Sequence, residues 1–346
     1  MTSQISRRDF LKFSTFAAAG AFLPLGSSST FLKPGFSVHR DYPLGRVLYD
    51  QAATYQYPDL DSDSVRNFLR NDIIPISAPI AIKQNPVQRE IWHQLEDGSF
   101  IRARDIQPVE RQLNTPLSEV SSYGQLAEIS VPFTTAYYRR KTARKPNRVF
   151  YYGSLHWIYE LGRDSNDILY YRVREDRWGD DYYVDARHMH VFEPDELTPI
   201  SADIDPKDKK IHVSIQDQLV VAYEKDQPVF TSSMASGLLS DTKDYSTLPG
   251  SYKIDYKRPS RHMLHSDRVG IDGSELFGVP WVTYFTNTGI AFHGTYWHND
   301  FSRPRSHGCV NLPIPAARWL YLWTIPAVPP REKTYVSRYG TPVTVF

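Results

Sequence analysis

The reactive side chains of this chain are concentrated in one short stretch near its C-terminal end. His293 is followed directly by Gly294, and sixteen residues after the histidine comes Cys309, at the end of the run Ser-His-Gly-Cys. A free thiol has a pKa of about 8.5 and is little ionised at neutral pH, so a nearby imidazole that removes its proton makes it a better nucleophile. The pair therefore predicts attack by Cys309 on an acyl group, with His293 as the base.

Glycines accompany both reactive residues. Gly308 directly precedes Cys309, where it lets the backbone turn sharply and lets a substrate approach. Successive N–H groups around Gly308 and Cys309 could then point at one substrate oxygen, and one such donor contributes about 10²–10³ in rate. Gly294 has a similar steric role beside His293. The sequence around the thiol thus favours stabilisation of an oxyanion.

A metal site is the alternative chemistry for the same stretch. His293, His298, His307 and Cys309 are four possible zinc ligands. Their spacing, through a loop that contains Asp and Pro, matches no common zinc pattern. We therefore expect neither a metal nor another cofactor.

Three further side chains are candidate substrate contacts. Arg303 and Arg305 lie between the two halves of the motif, where a loop could cover the site. Either could pair with a substrate carboxylate, although solvated loop arginines have the same appearance in a sequence. Tyr284 precedes the first half of the motif. The alternative is that it is a core residue of a strand.

Length, charge and cysteine content limit the class of protein. With 346 residues the chain is long enough for two or three domains that each bury a core. Its 40 Lys and Arg against 39 Asp and Glu leave a net charge of +1, which gives no electrostatic reason to expect a nucleic acid partner. One cysteine excludes an intrachain disulfide, and the 23 Tyr and 25 Pro favour strands and turns.

The N-terminus has the features of an export signal. Residues 6–12, Ser-Arg-Arg-Asp-Phe-Leu-Lys, precede an apolar run over residues 13–25. This run is shorter than the roughly 20 residues that span a bilayer, so residues 1–33 are interpreted as an export signal and flexible segment. The paired arginines resemble a twin-arginine signal and imply the twin-arginine export machinery, with an ordinary basic signal as the alternative. Because no Ala-x-Ala follows, the segment could also persist as an anchor.

Two similar β-rich units are predicted at residues 45–112 and 131–196. Each contains an aromatic-x-x-aliphatic segment, a turn with Gly, and then aromatic-aliphatic-x-Ala-Arg, which ends at Arg104 in the first and at Arg187 in the second. Alternating apolar positions around a Gly turn predict a hairpin. The units resemble bacterial Src-homology-3-like modules, which are small and β-barrel-like; two generic antiparallel meanders are the alternative.

The region from 207 to 346 is predicted to be mainly β with one main helix. Residues 211–223 alternate between apolar and polar around a turn, as two strands would. Only residues 314–323 have a helical pattern, with Pro near the first turn where its missing N–H costs nothing. Residues 342–346 have the pattern of a closing strand.

A charged run with Pro, residues 203–210, is interpreted as a linker between the second unit and this region. Domains separated by such a linker usually fold alone. We therefore expect a fragment that begins near Ile204 to fold and to keep the thiol chemistry.

The His-Gly pair, its spacing to the cysteine and the run Ser-His-Gly-Cys-Val-Asn (306–311) resemble the signature of the L,D-transpeptidase (YkuD-type) catalytic domain. The resemblance covers about residues 208–346. It includes a Thr-x-Pro-Gly segment at 247–250, where relatives more usually have Thr-Pro-x-Gly. It implies a β-sandwich catalytic domain, preceded here by the two small modules.

The resemblance implies that Cys309 is the nucleophile and His293 the proton acceptor and later donor, oriented by the backbone carbonyl of Gly294. The implied reaction is attack on the L-to-D peptide bond before the terminal D-Ala of a peptidoglycan tetrapeptide stem. The D-amino acid leaves, a thioester forms, and an amine of a neighbouring stem converts the thioester into a cross-link.

The other motif residues are implied to support the site. Backbone N–H groups of His307, Gly308 and Cys309 would form the oxyanion hole, Ser306 and His307 would be supporting residues, and Asn311 would support the site and contact substrate. The partners would then be stem peptides, and the protein would act as a monomer outside the cytoplasmic membrane, facing the wall or periplasm.

Two other functions share these features. If water resolves the thioester, the enzyme is an L,D-carboxypeptidase, and the choice depends on how an acceptor amine is seated and how water is excluded. If the C-terminal domain is inert, the chain is a wall-binding protein that uses its two N-terminal units. The intact pair of Cys309 and His293 argues against the inert domain.

Overall fold

The computed structural model describes residues 44–83, 89–138, 148–164, 166–239, 244–264 and 275–346. Within these residues the fold is mainly β, with 25 strands and one α-helix, as the sequence predicts. The export signal predicted for residues 1–33 lies outside the described residues and stays a prediction. In the part of the chain that the structure describes, none of the helical segments is long and apolar enough to cross a membrane.

The first β-rich region forms two small sheets. Their strand orders are β4-β1-β8 and β3-β2-β7-β6-β5. The strands are β1 (Leu44–Val47), β2 (Gln51–Tyr55), β3 (Ser64–Leu69), β4 (Ile73–Pro75), β5 (Ile80–Lys83), β6 (Arg89–Gln94), β7 (Phe100–Arg102) and β8 (Ile106–Val109). Trp92 and Ile101, from the two sides of the predicted Gly turn, are both fully buried. Trp92 pairs with Arg102 and Ile101 with His93, so the two buried side chains project to opposite faces of the sheet. The resemblance to Src-homology-3-like modules stays a prediction.

The second region forms one seven-stranded sheet with the order β11-β10-β14-β13-β12-β9-β15. The strands are β9 (Gln125–Ile129), β10 (Phe133–Tyr138), β11 (Arg148–Tyr151), β12 (Leu155–Arg163), β13 (Leu169–Arg174), β14 (Asp181–Asp185) and β15 (Met189–Val191). Strand β9 precedes the boundary predicted at residue 131. The strand buries aliphatic residues such as Leu126 and Ile129. It contains none of the aromatic residues that define the repeat pattern, so the pattern did not include it.

The C-terminal region contains two five-stranded sheets, with the orders β18-β17-β16-β25-β19 and β23-β22-β21-β20-β24. The strands are β16 (Lys209–Ser214), β17 (Leu219–Glu224), β18 (Gln227–Ser233), β19 (Gly250–Lys253), β20 (Tyr256–Leu264), β21 (Glu275–Tyr284), β22 (Ala291–Gly294), β23 (Val310–Leu312), β24 (Tyr335–Val336) and β25 (Pro342–Val345). The helix α1 (Ile314–Trp323) packs with them. Val213, Phe292 and Leu320, one from each sheet and one from the helix, are fully buried in a shared core. This arrangement is the predicted sandwich with one main helix.

Two predicted elements of this region are confirmed. The helix spans Ile314–Trp323, with Pro in its first turn. The closing strand β25 pairs parallel with β16 and antiparallel with β19, which places it inside its sheet. A strand in this position needs apolar residues on the core side, and Val343 and Val345 are buried there.

The core continues across the predicted linker. Leu155 and Trp157 of β12 belong to the same buried cluster as Phe292 and Leu320. Lys209, expected in the linker, is the first residue of β16; it is buried, and its Nζ donates to the carbonyl of Trp323 at 3.0 Å. The second β-rich region and the sandwich therefore pack as one structure.

Candidate active site

Two short parallel strands bring the cysteine and the histidine together. In the register of β22 and β23, Phe292 lies opposite Val310 and His293 opposite Asn311. Cys309 directly precedes β23 and packs against the buried cluster that includes Ala291. Ala291 lies two residues before His293 in β22, so their side chains share a face of the strand. The pairing of these strands joins the two halves of the motif.

The Cys309 thiol lies at the edge of an apolar pocket. Its side chain is partly exposed, and it packs with Tyr284 and Trp297 against a buried cluster that includes Ala291. Desolvation raises the pKa of the Cys309 thiol, and the backbone N–H of Ala291 acts in the opposite direction. The thiol is therefore protonated at rest near neutral pH and needs a base to react.

His293 is held in one tautomer. Its ring is buried, and Nδ1 lies 3.1 Å from the carbonyl oxygen of Gly294. Because a carbonyl oxygen only accepts, Nδ1 carries the hydrogen, and in the neutral ring Nε2 is left as an acceptor. This is the tautomer that can take a proton from a thiol.

The peptide before Cys309 is fixed by two hydroxyl groups. Gly308 has φ +108°, a conformation that side-chain-bearing residues rarely adopt. Thr247 Oγ1 donates to the Gly308 carbonyl at 2.8 Å and accepts from the N–H of Gly237 at 2.9 Å. On the other side, Ser306 Oγ donates to the Cys309 carbonyl and accepts from the Gly308 N–H.

This geometry modifies the predicted oxyanion hole. The Gly308 N–H was expected to donate to the substrate oxygen, but Ser306 Oγ accepts it at 3.1 Å. The backbone N–H groups of His307 and Cys309 are the other two candidate donors. Ser306 thus supports the site through the backbone on both sides of Gly308.

The sequence reasoning did not identify Gly237 and Thr247 as part of the site. A Cβ on Gly237 would lie 1.8 Å from the carbonyl oxygen of Tyr245 and 2.9 Å from the Gly308 Cα, so only glycine fits. Thr247 was noted only as the start of the unusual Thr-x-Pro-Gly segment. Its burial next to Gly308 shows that this segment supports the loop that carries Cys309.

A second buried histidine contacts the middle of β23. Nδ2 of the Asn311 amide donates to His298 Nε2 at 2.8 Å, and the N–H of Asp300 lies 3.3 Å from His298 Nδ1. Burial, with Arg305 and His293 nearby, lowers the pKa of His298 well below its usual value, so the ring is neutral.

The predicted substrate-binding arginines lie at a junction between regions. Asp300 pairs with Arg303 at 3.0 Å and with Arg305 at 3.1 Å. Arg303 also lies 3.8 Å from Glu90, and the Arg305 guanidinium lies 5.4 Å from the ring centre of Tyr49, both in the first β-rich region. Both arginines therefore hold the loop between the motif halves, and substrate binding by them stays a prediction.

Tyr284 lies beside the thiol at the edge of a cavity of about 300 Å³. Its ring stacks on Tyr256 with centres 4.8 Å apart. Burial raises the pKa of Tyr284 to about 12, with a smaller contribution from Cys309. Trp281, three residues earlier, is instead buried in the core.

His307, a predicted supporting residue, packs against the ring of Tyr245, with the ring centres 4.4 Å apart.

The four possible zinc ligands do not form a cluster. Among the residues described by the structure, no group of three or more His, Cys, Asp or Glu side chains is placed to hold a metal ion. His293 and His298 instead have hydrogen-bond partners within the protein.

Fold and site together define a class: a β-sandwich that presents a cysteine and a histidine on one face of two parallel strands. Residues 208–345 match the family model of YkuD, the L,D-transpeptidase catalytic domain. Over 129 residues the chain is 28% identical to the putative L,D-transpeptidase YciB of Bacillus subtilis strain 168, covering 34% of this chain and 62% of the relative. The match thus spans about three fifths of that relative's length.

Two solved structures are similar to this chain. A mutant of an Enterococcus faecium L,D-transpeptidase is 20% identical with a TM-score of 0.31, covering 41% of this chain and 50% of that chain. An L,D-transpeptidase from Mycobacterium tuberculosis H37Rv is 16% identical with a TM-score of 0.31, covering 69% of this chain and 95% of that chain.

Proposed function

We propose that this chain is an L,D-transpeptidase that cross-links peptidoglycan stems through a thioester on Cys309. The observation that carries the proposal is the pair of Cys309 and His293 on one face of β22 and β23, with Nδ1 of the histidine held by Gly294. The match of residues 208–345 to the L,D-transpeptidase catalytic domain supports the same function.

The first half-reaction forms the thioester. Nε2 of His293 takes the Cys309 proton, and Sγ attacks the carbonyl carbon before the terminal D-amino acid. The backbone N–H groups of His307 and Cys309 donate to the oxyanion, while Gly308 keeps the turn that aims them. His293 then returns the proton to the leaving nitrogen, the C–N bond breaks, and the D-amino acid departs.

The second half-reaction forms the cross-link. The amine of a neighbouring stem attacks the thioester carbon, and His293 takes a proton from that nitrogen. The C–S bond breaks as the new amide forms, and the proton returns to Cys309. Each half-reaction therefore uses His293 first as a base and then as an acid.

The test is the intact mass of the protein after incubation with a tetrapeptide stem. We expect the mass to increase by one tripeptide acyl group and the terminal D-amino acid to be released, with a cross-linked dimer when an amine acceptor is added. Cys309→Ser and His293→Ala should give no adduct, whereas His212→Ala, on the opposite sheet, should react normally.

Three results would contradict this function. Acylation of Cys309→Ser above a few per cent would exclude the thiol as nucleophile, since the chain has no other cysteine. Release of free tripeptide without cross-links, at saturating acceptor, would identify a carboxypeptidase. An inert domain would give no adduct with any stem peptide.

A further inference from the structure

A buried positive charge lies where the three regions of the chain meet. Arg46 of β1 is only 2% exposed, and its guanidinium donates to the side chains of Gln107 and Asn71 and to the carbonyl of Tyr296. All three acceptors are neutral. Among the residues that the structure describes, no carboxylate pairs with Arg46. Because a charge inside a protein is costly unless it is paired, this guanidinium lacks a counter-ion.

Arg46 also has one N–H to spare. Of the five N–H bonds of a guanidinium, Nε donates one to Gln107, and Nη2 donates to Gln107 and to Tyr296. Nη1 donates one to Asn71, and its second N–H has no acceptor among the described residues. Burial lowers the pKa of Arg46 to about 10, so the group is charged near neutral pH. The spare donor is therefore available to an anion.

The Arg46 side chain lines a small cavity at this junction. Its volume is about 30 Å³, enough for one or two waters or a single monatomic ion, and too small for an organic anion. Most of the wall is apolar or aromatic and comes from the second region and the sandwich: Val149, Tyr151, Leu276, Phe277, Tyr296 and Trp297. Such a wall screens charge poorly, so the guanidinium acts strongly on an ion inside it. Val149 is exposed, so an ion can enter from solvent.

One carboxylate, Glu275, also lies in the wall and opposes an anion. Its charge is balanced by Arg148, whose Nη2 lies 3.1 Å from Glu275 Oε2. The charge of Arg70 also acts on Arg46, but Arg70 is itself paired with Asp50 at 2.8 Å. Once these pairs are set aside, the positive charge of Arg46 remains. One monovalent anion in the cavity would neutralise it.

A cation is disfavoured in this cavity although aromatic rings line it. The Arg46 guanidinium already covers the ring of Tyr151, at 4.2 Å from its centre. Arg148 likewise lies 5.8 Å from the ring centre of Phe277. These rings therefore make their cation–π contacts within the protein, and a further cation would meet two guanidinium groups.

We propose that this cavity binds one small monovalent anion, chloride, as the counter-ion of Arg46. The anion accepts the spare N–H of Nη1 and is enclosed by residues of all three regions. Unfolding separates these residues and destroys the site, so bound chloride stabilises the folded chain. The binding needs no reaction at Cys309 and is independent of the proposed function.

The test measures thermal unfolding of the full chain while sodium chloride replaces sodium gluconate at constant ionic strength. Gluconate carries the same charge but is too large for the cavity. Above the concentration that half fills the site, the unfolding temperature should rise by about 2–4 °C for each tenfold increase in chloride. Bromide should act as chloride does, and anomalous diffraction from a crystal grown in bromide should locate it beside Arg46 Nη1.

Substitutions in the wall assign the charges. Arg46→Met should abolish the difference between chloride and gluconate. Glu275→Gln removes the opposing carboxylate, so the rise should begin at a chloride concentration at least about threefold lower. Glu160→Gln is the matched control for Glu275→Gln: this glutamate also pairs with an arginine, Arg172 at 2.7 Å, but does not line the cavity. Its response to chloride should match that of the wild type.

Equal unfolding temperatures of the wild type in chloride and in gluconate would overturn the proposal. A chloride response that persists in Arg46→Met, or an unchanged threshold in Glu275→Gln, would do the same. So would a bromide-grown crystal with water alone in the cavity. The comparison of two salts uses the wild-type chain, so misfolding of a variant cannot explain its result.

Discussion

At the scale of single residues, the site depends on a hydroxyl group far from the motif in sequence. Thr247 Oγ1 links the N–H of Gly237 to the carbonyl of Gly308, and all three groups are buried. The Gly308 carbonyl belongs to the peptide bond whose N–H is that of Cys309. Fixing this carbonyl therefore fixes the direction of a candidate oxyanion donor.

We predict that Thr247→Val slows acylation by about 10- to 10²-fold, because a small displacement of the donor N–H is enough to cost that much. The change keeps the side-chain shape but leaves the Gly237 N–H and the Gly308 carbonyl unpaired, which also lowers stability by about 1–3 kcal/mol. The measurement is the single-turnover rate of adduct formation by intact mass, with thermal unfolding alongside.

Thr231→Val is the control for this change. Thr231 is also buried in the sandwich, but its hydroxyl has no hydrogen-bond partner among the described residues. Its substitution should leave the acylation rate unchanged. If Thr247→Val and Thr231→Val acylate equally fast, the Thr247 hydroxyl has no part in positioning the donor.

The sequence predicted the reactive pair but not this support. His293 and Cys309 could be paired because their motif halves lie close in sequence and have recognisable residue types. The bond from Thr247 to Gly308 spans 61 residues, and a threonine hydroxyl has no sequence pattern that identifies its acceptor. The hydrogen bond between Ser306 and the Gly308 N–H also depends on the folded turn.

At the scale of elements, the end of helix α1 is held by a buried lysine. Lys257 of β20 donates from Nζ to the carbonyls of Tyr321, Thr324 and Pro326. The last carbonyls of a helix have no partner within it, and a cation there also interacts well with the helix dipole. Burial, and secondarily Lys209, lowers the pKa of Lys257 well below its usual value.

We predict that Lys257→Met destabilises the protein by about 2–5 kcal/mol, because three buried carbonyls lose their donor while the apolar stem is kept. Thermal unfolding measures the change. Lys210→Met is the control. Among the described residues the ion pair of Lys210 is with a highly exposed aspartate, Asp226, so this variant should unfold as the wild type does. An unchanged unfolding temperature for Lys257→Met would show that water satisfies these carbonyls.

Periodicity explains which elements the sequence could predict. The helix at 314–323 and the strand at 342–345 have apolar residues at regular spacing, and both are present. The stretch around His262 has no regular apolar spacing in the sequence, yet it lies within β20. This strand buries polar side chains such as Lys257, Ser260 and His262 against partners from other regions, so no apolar alternation marks it.

At the scale of the whole molecule, the first β-rich region is bonded to the loop that follows His293. Arg46 is buried, and its Nη2 donates to the carbonyl of Tyr296 at 2.6 Å and to Gln107 Oε1 at 2.7 Å. Its guanidinium stacks on Tyr151 of the second region at 4.2 Å. Burial lowers the pKa of Arg46 to about 10, so it stays charged at neutral pH and joins all three regions.

These contacts do not fit the expectation that the C-terminal region works alone. The loop between the motif halves also donates from the Asn299 amide to the carbonyl of Ala103 at 2.9 Å. A charged run with Pro has the composition of a linker, but composition does not reveal which surfaces pack across it. A fragment starting near Ile204 would lose every one of these partners. It would also lack Leu155 and Trp157, so the part of the core around Phe292 that they cover would be exposed to solvent.

We therefore predict that Arg46→Met lowers the acylation rate about 10- to 10²-fold although Arg46 touches no reacting atom. Without the Arg46 guanidinium, the Tyr296 carbonyl loses its hydrogen-bond donor. The segment that carries His293 and His298 then becomes less fixed. Amide hydrogen exchange over residues 295–305 should accelerate together with the loss of rate, whereas exchange in α1 should not. Arg46→Lys should restore part of the rate, because an ammonium can still reach one carbonyl.

Arg70→Met is the matched control for Arg46→Met. Among the described residues Arg70 bonds within the first region, to Asp50 and to the Leu48 carbonyl, so the acylation rate and the exchange over 295–305 should match the wild type. A fragment beginning near Ile204 should fold poorly or acylate slowly, for the same reason as Arg46→Met. Acylation at the wild-type rate by that fragment would show that the first region does not position the site. The same rate in Arg46→Met, with faster amide exchange over residues 295–305, would show this too.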